Sequence, residues 1–349
     1  MKFFVTGGSG YLGRNFIQYA LSQNDNISIN ALSRSSVSDE LILKSAGNIK
    51  KGRERIRIIR GHINDENSLK EGLDGVNVVI HMAAKVQPYG YYEEHERINV
   101  QGTALLLSLI ESLQSSNKPR FIYISSFTAR LSDHFPIDSL PDWAPYSKSK
   151  CLSEKEITKS SLEDIIILRL GWLWGKDDNV LVPMLYNLCR NPIWKITPQS
   201  FPLSITHVTN ACEAIYLSCV TEKNNIFKSI YEIEDVEGKV EMDDFVEFYV
   251  GSAYDIKPPR PFKIFRTPKW LVWVLFTIVE HIPLLGYSKT WIFDGMNREC
   301  FICLHRNYQL DSTKAKEELN YISKVSREQG IAELIELSKK NTNYLENSD

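Results

Sequence analysis

The chain is 349 residues long, 43% hydrophobic and 24% charged, with a formal net charge of −2 at pH 7. That length allows one large domain or two smaller ones around a full core, and the near-neutral balance argues against a nucleic-acid partner. Six scattered cysteines (Cys151, Cys189, Cys212, Cys219, Cys300, Cys303) and the lack of a signal peptide before the first predicted strand point to free thiols in a reducing, cytoplasmic setting.

The first predicted strand, Lys2–Thr6, runs straight into Gly7, Gly10 and Gly13, and a helix is predicted over Tyr11–Ser22. Glycines there let the backbone turn tightly and approach a pyrophosphate, while the helix N-terminus offers free N–H groups and a positive dipole end. The spacing is GxxGxxG rather than GxGxxG, so its weight comes from the strand before and the helix after. Ile27–Leu32 is the second predicted strand. At its end Ser33 stands where an acid would meet a ribose 2′-OH, and Arg34 follows. That pair suits a 2′-phosphate, so NADP(H) is favoured over NAD(H).

Further strands are predicted at Arg55–Arg60, Val76–His81, Phe121–Ser125 and Ile165–Arg169, and helices near Glu66–Gly72, Glu94–Ser116 and Pro145–Lys159. Apolar strands alternating with helices imply an α/β fold with a doubly wound parallel sheet. Ligands then bind outside the carboxyl ends of the strands, where Gly7, Ala83, Ser126 and Trp172 fall.

Tyr146 and Lys150 are spaced i, i+4, which puts both on one face of the predicted helix. A phenol beside an ammonium is favoured as phenolate, so its pKa falls from ~10 toward working pH. Ser126, with Ser125 as the fallback, ends the preceding strand and can hold a carbonyl oxygen. Together these groups make a proton-transfer device for interconverting alcohols and ketones. Any Tyr and Lys four apart can also be a plain surface pair; the glycine turn and the βα units between tip the reading toward chemistry.

After Gly171 the pattern is irregular. Leu181–Asn187 and Val208–Val220 look helical, and Ile230–Ile233 looks like a strand returning to the sheet. Trp270–Val279 is an uncharged stretch of ten residues. A membrane span needs about 20, so the stretch is either a buried helix or an apolar lid through which substrate enters or a membrane is touched. Cys300 and Cys303 form a CxxC without a second ligand pair at suitable spacing, and no metal site is expected.

These motifs resemble those of the extended short-chain dehydrogenases/reductases. The matching stretches are Thr6-Gly-Gly-Ser-Gly-Tyr-Leu-Gly13, Val78-Val-Ile-His-Met-Ala-Ala84, Asn99-Val-Gln-Gly-Thr103, Ile124-Ser-Ser126 and Tyr146 with Lys150, within a span from Phe3 to about Gly330. Ala84-Lys-Val-Gln-Pro-Tyr-Gly90, Leu168-Arg-Leu-Gly-Trp-Leu-Trp-Gly175 and Leu310–Tyr321 resemble the 3β-hydroxysteroid dehydrogenase group. That group includes sterol-4-carboxylate dehydrogenases and bacterial 2-alkyl-3-ketoalkanoate reductases.

The resemblance implies a Rossmann-type cofactor domain (1–170 plus about 203–235) and a smaller, mostly helical substrate domain (about 171–202 plus 236–349). It implies cofactor contacts from Gly7, Gly10, Tyr11, Leu12, Gly13, Ser33, Arg34, Ile63, Asp65, Ala83, Ala84, Lys85, Tyr146 and Lys150. Catalysis falls to Ser126, Tyr146 and Lys150, and Tyr89, Trp172 and His207 are substrate-side candidates. Asn99 resembles the family's helix-kinking Asn behind the active site. The implied activity is interconversion of β-hydroxy and β-keto groups on a sterol-like or long-chain compound, by a homodimer formed through the helices near Glu94–Ser116 and Pro145–Lys159. Its rivals are a nucleotide-sugar epimerase or dehydratase retaining NAD, and a cofactor-sensing protein without turnover. The chain departs from the family pattern at Arg169-Leu170, Gly175-Lys176 and Gly61-His62, and its interval from Ser126 to Tyr146 is short, which predicts a trimmed loop over the site.

Overall fold

The computed structural model describes residues 1–88, 90–115, 118–179, 181, 202–222, 227–245, 249, 268–281, 297–305 and 308–340. In chain order its first half runs β1 (Lys2–Thr6), α1 (Tyr11–Gln23), β2 (Ser28–Ser33), α2 (Ser36–Ser45), β3 (Ile56–Arg60), α3 (Glu66–Gly72), β4 (Val78–His81), α4 (Tyr92–His95), a π-helical turn (Glu96–Gln101), α5 (Gly102–Ser112), β5 (Arg120–Ser126) and α6 (Pro145–Lys159). Then follow β6 (Ile165–Leu170), β7 (Trp172–Trp174), β8 (Pro202–Leu203), β9 (Ile205–His207), α7 (Val208–Val220), β10 (Ser229–Ile233), β11 (Val240–Glu241), α8 (Met242–Phe245), α9 (Lys269–His281), α10 (Arg298–His305), α11 (Thr313–Leu319) and α12 (Arg327–Lys340).

Seven strands form one sheet in the order β10-β6-β5-β4-β1-β2-β3, every pairing parallel. Its interior strands are apolar on both faces because helices cover both. Phe3 and Val5 face a layer with Phe16 and Ile17 of α1 and Ala211 and Ile215 of α7. Phe4, one step along β1, faces the opposite layer with Leu69, Leu106 and Ile110. The period of two along a strand sends neighbours to opposite layers, and each large side chain so buried contributes about 1.5–3 kcal/mol. Strand order reverses at β1, between β2 and β4, which opens a crevice at their carboxyl ends.

The predicted strands of the sheet lie within two residues of the observed ones. Helix α2 went unpredicted; Ser35 caps it by accepting from the Ser38 amide at 3.2 Å. The predicted helix Glu94–Ser116 is interrupted by the π turn around Asn99 and ends at Ser112. Leu181–Asn187 lies outside the described residues apart from Leu181. Ala315, Leu319 and Tyr321 pack into the same layer as α1 and α7.

The uncharged stretch forms α9 and has two faces. Val272 is buried, and Trp273 and Phe276 pack with it against Phe301 and Ile302 of α10 and Phe127 and Leu131 beyond β5. Trp270, Val274, Leu275 and Ile278 lie exposed on the other face, Trp270 at 68%. Among the described residues no helix is long and apolar enough to cross a membrane.

Candidate active site

At the carboxyl end of β1 the chain turns on Gly7, whose φ is +75°; a Cβ there would sit 2.7 Å from the Ala83 nitrogen. The Gly10 amide donates to the Gly7 carbonyl at 3.1 Å, and a Cβ on Gly13 would lie 2.2 Å from that same oxygen. Only glycine lets these backbones approach so closely. No side chain caps α1, so its N-terminus faces the crevice as an anion-binding end. Thr6 ties β1 to β4: its hydroxyl contacts His81 Nδ1 at 2.7 Å and accepts from the Ala83 amide at 3.2 Å. This cradle fits a dinucleotide pyrophosphate. The side chains of Tyr11, Leu12 and Ile63 are buried.

Ser33 is buried at the end of β2 and donates to the Ser35 carbonyl at 3.2 Å, while Arg34 is exposed. Asp65 caps α3, accepting from the Asn67 amide at 3.2 Å. Asp65 therefore has a structural task at the start of α3. Ala83 and Ala84 follow β4, partly exposed. The Lys85 ammonium pairs with Glu94. Tyr89 lies outside the described residues.

The structure brings Ser126 and Tyr146 together. Ser126 ends β5 and Tyr146 lies in the first turn of α6, with the Ser126 hydroxyl placed to act on the phenol and oppose the rise in its pKa. That hydroxyl also accepts from the Thr128 amide at 3.2 Å, capping the turn that follows. Ser125 is engaged elsewhere, donating to Glu154, which is held in turn by a two-pronged bond from Arg169 at 3.0 and 2.7 Å.

Lys150 has structural partners as well. Its ammonium is 5.8 Å from the centre of the Tyr146 ring, on the same helix face, but donates to the Ile124 carbonyl at 2.7 Å and the Tyr123 hydroxyl at 3.3 Å. Burial lowers its pKa to about 7, with Glu154 pulling the other way. Burial likewise pushes the Tyr146 phenol above its ordinary value, opposed by the Ser126 hydrogen bond and reinforced by Glu299. Burial thus opposes the lowering of the phenol pKa that the i, i+4 spacing predicts. Removal of both groups from water disfavours their charged forms.

Trp172 packs beside the site, its ring 5.5 Å from that of Phe127. His207 does not face an open cleft: it is fully buried and its Nδ1 caps α7, accepting from the Thr209 amide at 3.3 Å. Burial lowers its pKa to about 4. Cys300 and Cys303 are buried, and among the described residues no cluster of three metal-ligating groups occurs.

Two supports stand behind Tyr146. Asn99, on the π turn, accepts from the Lys85 amide at 2.7 Å and donates to the Lys85 carbonyl at 3.0 Å and the Ser149 hydroxyl at 2.8 Å. Its motif was legible. Glu299 was not: it reaches α6 from α10, accepting from the Tyr146 amide at 3.2 Å and the Ser147 amide at 2.6 Å. No spacing rule links positions so far apart.

Comparison with known proteins adds lineage. The chain is 28% identical to a sterol-4-alpha-carboxylate 3-dehydrogenase (decarboxylating) of Dictyostelium discoideum, covering 95% of this chain and 99% of that one. It is 25% identical to a farnesyl-dihydroquinoline-oxide ketoreductase of Stigmatella aurantiaca, covering 95% of each. In fold it resembles the NAD complex of dTDP-glucose 4,6-dehydratase from Bacillus anthracis (TM-score 0.64, 20% identity, 98% of this chain and 97% of that one). It also resembles UDP-glucuronic acid 4-epimerase from Bacillus cereus (TM-score 0.66, 18% identity, 97% and 99%). The 3-beta hydroxysteroid dehydrogenase/isomerase family model matches residues 4–250. The chain therefore belongs to the 3-beta hydroxysteroid dehydrogenase/isomerase family and is an oxidoreductase of the extended short-chain dehydrogenase/reductase type.

Proposed function

We propose that the protein interconverts a β-hydroxy and a β-keto group on a hydrophobic, sterol-like or long-chain substrate, using NADP(H) in preference to NAD(H). The observation that carries this is the placement of Ser126 at the carboxyl end of β5 and Tyr146 in the first turn of α6, at the same end of the sheet as the glycine turn. Names of the related proteins, a sterol-acid dehydrogenase and a farnesylated-quinoline ketoreductase, support the substrate class.

A nicotinamide dinucleotide supplies or accepts the hydride when bound. The Gly7–Gly13 turn and the α1 N-terminus would hold its pyrophosphate, Arg34 with neighbouring hydroxyls its 2′-phosphate, and Lys150 its ribose. Ser126 holds the substrate carbonyl oxygen. Tyr146 keeps its proton at the phenol oxygen until charge develops on the substrate oxygen, then transfers it there; in oxidation it receives the proton from the substrate hydroxyl. The Ser126 hydrogen bond favours the phenolate as the proton leaves, and a charged Lys150 does the same. Near neutral pH Lys150, lowered to about 7, can itself gain or lose a proton.

Apolar access fits the outward face of α9: Trp270, Val274, Leu275 and Ile278 would meet a lipid surface from which substrate enters. A homodimer formed through α5 and α6 completes the reading. A cofactor-coupled screen of sterols, long-chain 3-keto acids and nucleotide sugars tests it. Turnover of the first or second class is expected; turnover of nucleotide sugars with retained NAD would replace this reading by an epimerase or dehydratase. No turnover with intact cofactor binding would favour a sensing role.

A further inference from the structure

The helix that carries Tyr146 cannot finish its own N-terminus. Ala144 at its N-cap offers no side-chain acceptor, Pro145 has no amide hydrogen, and no acid stands in the first turn. The Tyr146 and Ser147 amides are orphan donors of the kind every helix start leaves. Both are taken by one carboxylate, that of Glu299, which also accepts from the Ser147 hydroxyl. The Lys148 amide returns to Ala144 at 2.8 Å. Glu299 is only 2% exposed.

Glu299 is held in place from behind. Its helix packs on α9 through Phe301, whose ring lies 5.7 Å from that of Trp273 and 6.1 Å from that of Phe276. Arg298 is paired with Glu280 of α9. Across the junction Cys303 lies 4.0 Å from the Ser147 hydroxyl. A chain of contacts thus runs from the apolar helix α9, through α10, to the backbone of the residue read above as the proton donor.

We propose that Glu299 is a positioning residue: its carboxylate clamps the first turn of α6, sets the phenol of Tyr146 against Ser126, and so makes proton transfer depend on the docking of α9 and α10. This rests on the Ser126–Tyr146 reading of the site. A displacement near 1 Å at reacting groups can cost about 10²-fold in rate, and a loss confined to the transition state lowers kcat with KM unchanged.

The test measures Glu299→Ala and Glu299→Gln in the full chain by two readouts. The first is kcat and KM with NADPH and a long-chain 3-keto acid. The second is amide hydrogen exchange over the segment from Ala144 to Lys150, which needs no turnover. Glu299→Ala is expected to lower kcat about ten- to hundredfold with KM within about threefold, and to lose amide protection at that turn. Glu299→Gln keeps the volume and one acceptor and should recover part of both. If Glu299→Ala does not fold, the Gln variant decides alone, with a smaller fall in kcat expected. A wild-type kcat in a folded variant that has lost amide protection overturns the proposal, as does a KM that rises in step with the loss of kcat. Unchanged protection in both variants overturns the clamp. Absence of turnover in wild type counts against the function reading, while exchange still judges the clamp.

Discussion

The Lys150 ammonium donates a 2.7 Å hydrogen bond to the Ile124 carbonyl oxygen of β5. The bond ties the amine to the strand while it stays 5.8 Å from the centre of the Tyr146 ring four residues earlier. Lys150 therefore braces α6 against the end of β5 as well as supplying charge. Tyr146→Phe is expected to cut kcat by at least about 10²-fold, the scale of a lost general acid, with cofactor affinity within a few-fold. Lys150→Ala should lower both rate and cofactor affinity. Cofactor titration and steady-state kinetics on the two variants decide this; a tenth of wild-type kcat in Tyr146→Phe would remove Tyr146 as the acid.

Glu299 makes stability depend on pH. Burial pushes its carboxyl up to about 8, against the hydrogen bonds from Ser147 and Tyr146. The folded state then binds the proton more tightly than the unfolded chain. The resulting stabilisation is fully present below the ordinary carboxyl range of about 4.5 and is lost as pH rises through about 8. The melting temperature of wild type minus that of Glu299→Gln should accordingly fall between those pH values and level off above them. A difference that is flat, or rises with pH, would contradict the burial argument.

Arg34 should set cofactor choice. A charge-assisted contact to a 2′-phosphate contributes roughly 1.5–3 kcal/mol, about a ten- to hundredfold preference for NADPH over NADH. Arg34 is exposed, so the preference should shrink in high salt, and Arg34→Ala should remove most of it while sparing NADH. Equal affinities in wild type would end the assignment.

The two faces of α9 should respond differently. Trp270→Ser with Ile278→Ser should weaken association with liposomes and leave the melting temperature near wild type. Trp273→Ala should destabilise the fold, toward the roughly 3–5 kcal/mol of a lost core aromatic, because its ring meets Trp143 at 5.2 Å as well as Phe301. In the sequence Trp270–Val279 reads as either a buried helix or an apolar lid; the packing of Trp273 and Phe276 in the aromatic cluster makes the outward residues the ones to change. Liposome flotation and thermal melts on both variants check this.

Gly13→Ala should abolish cofactor binding. Its new methyl would meet a backbone oxygen at 2.2 Å, and backbone cannot swing aside as a side chain can. Unaltered NADPH affinity in that variant would show that the glycine turn is not the cradle.

Much of this protein is written locally. Period-two and continuous apolar runs, glycines at the β1–α1 turn, and Tyr146 spaced from Lys150 determine the strands, the parallel sheet and one face of the active-site helix, since each depends on near neighbours along the chain. Asn99 was legible as a motif, although its π turn was not, because the widened turn is held by bonds to Lys85 and Ser149. What a side chain does once buried is decided only in three dimensions. That Asp65 and His207 cap helices is visible only in the fold, and the charge on Tyr146 and Lys150 depends on desolvation that no spacing encodes. Glu299 is the plainest case: it lies 153 positions from Tyr146 in the chain yet accepts its amide hydrogen bond, because helix packing, and no local rule, carries α10 to the start of α6.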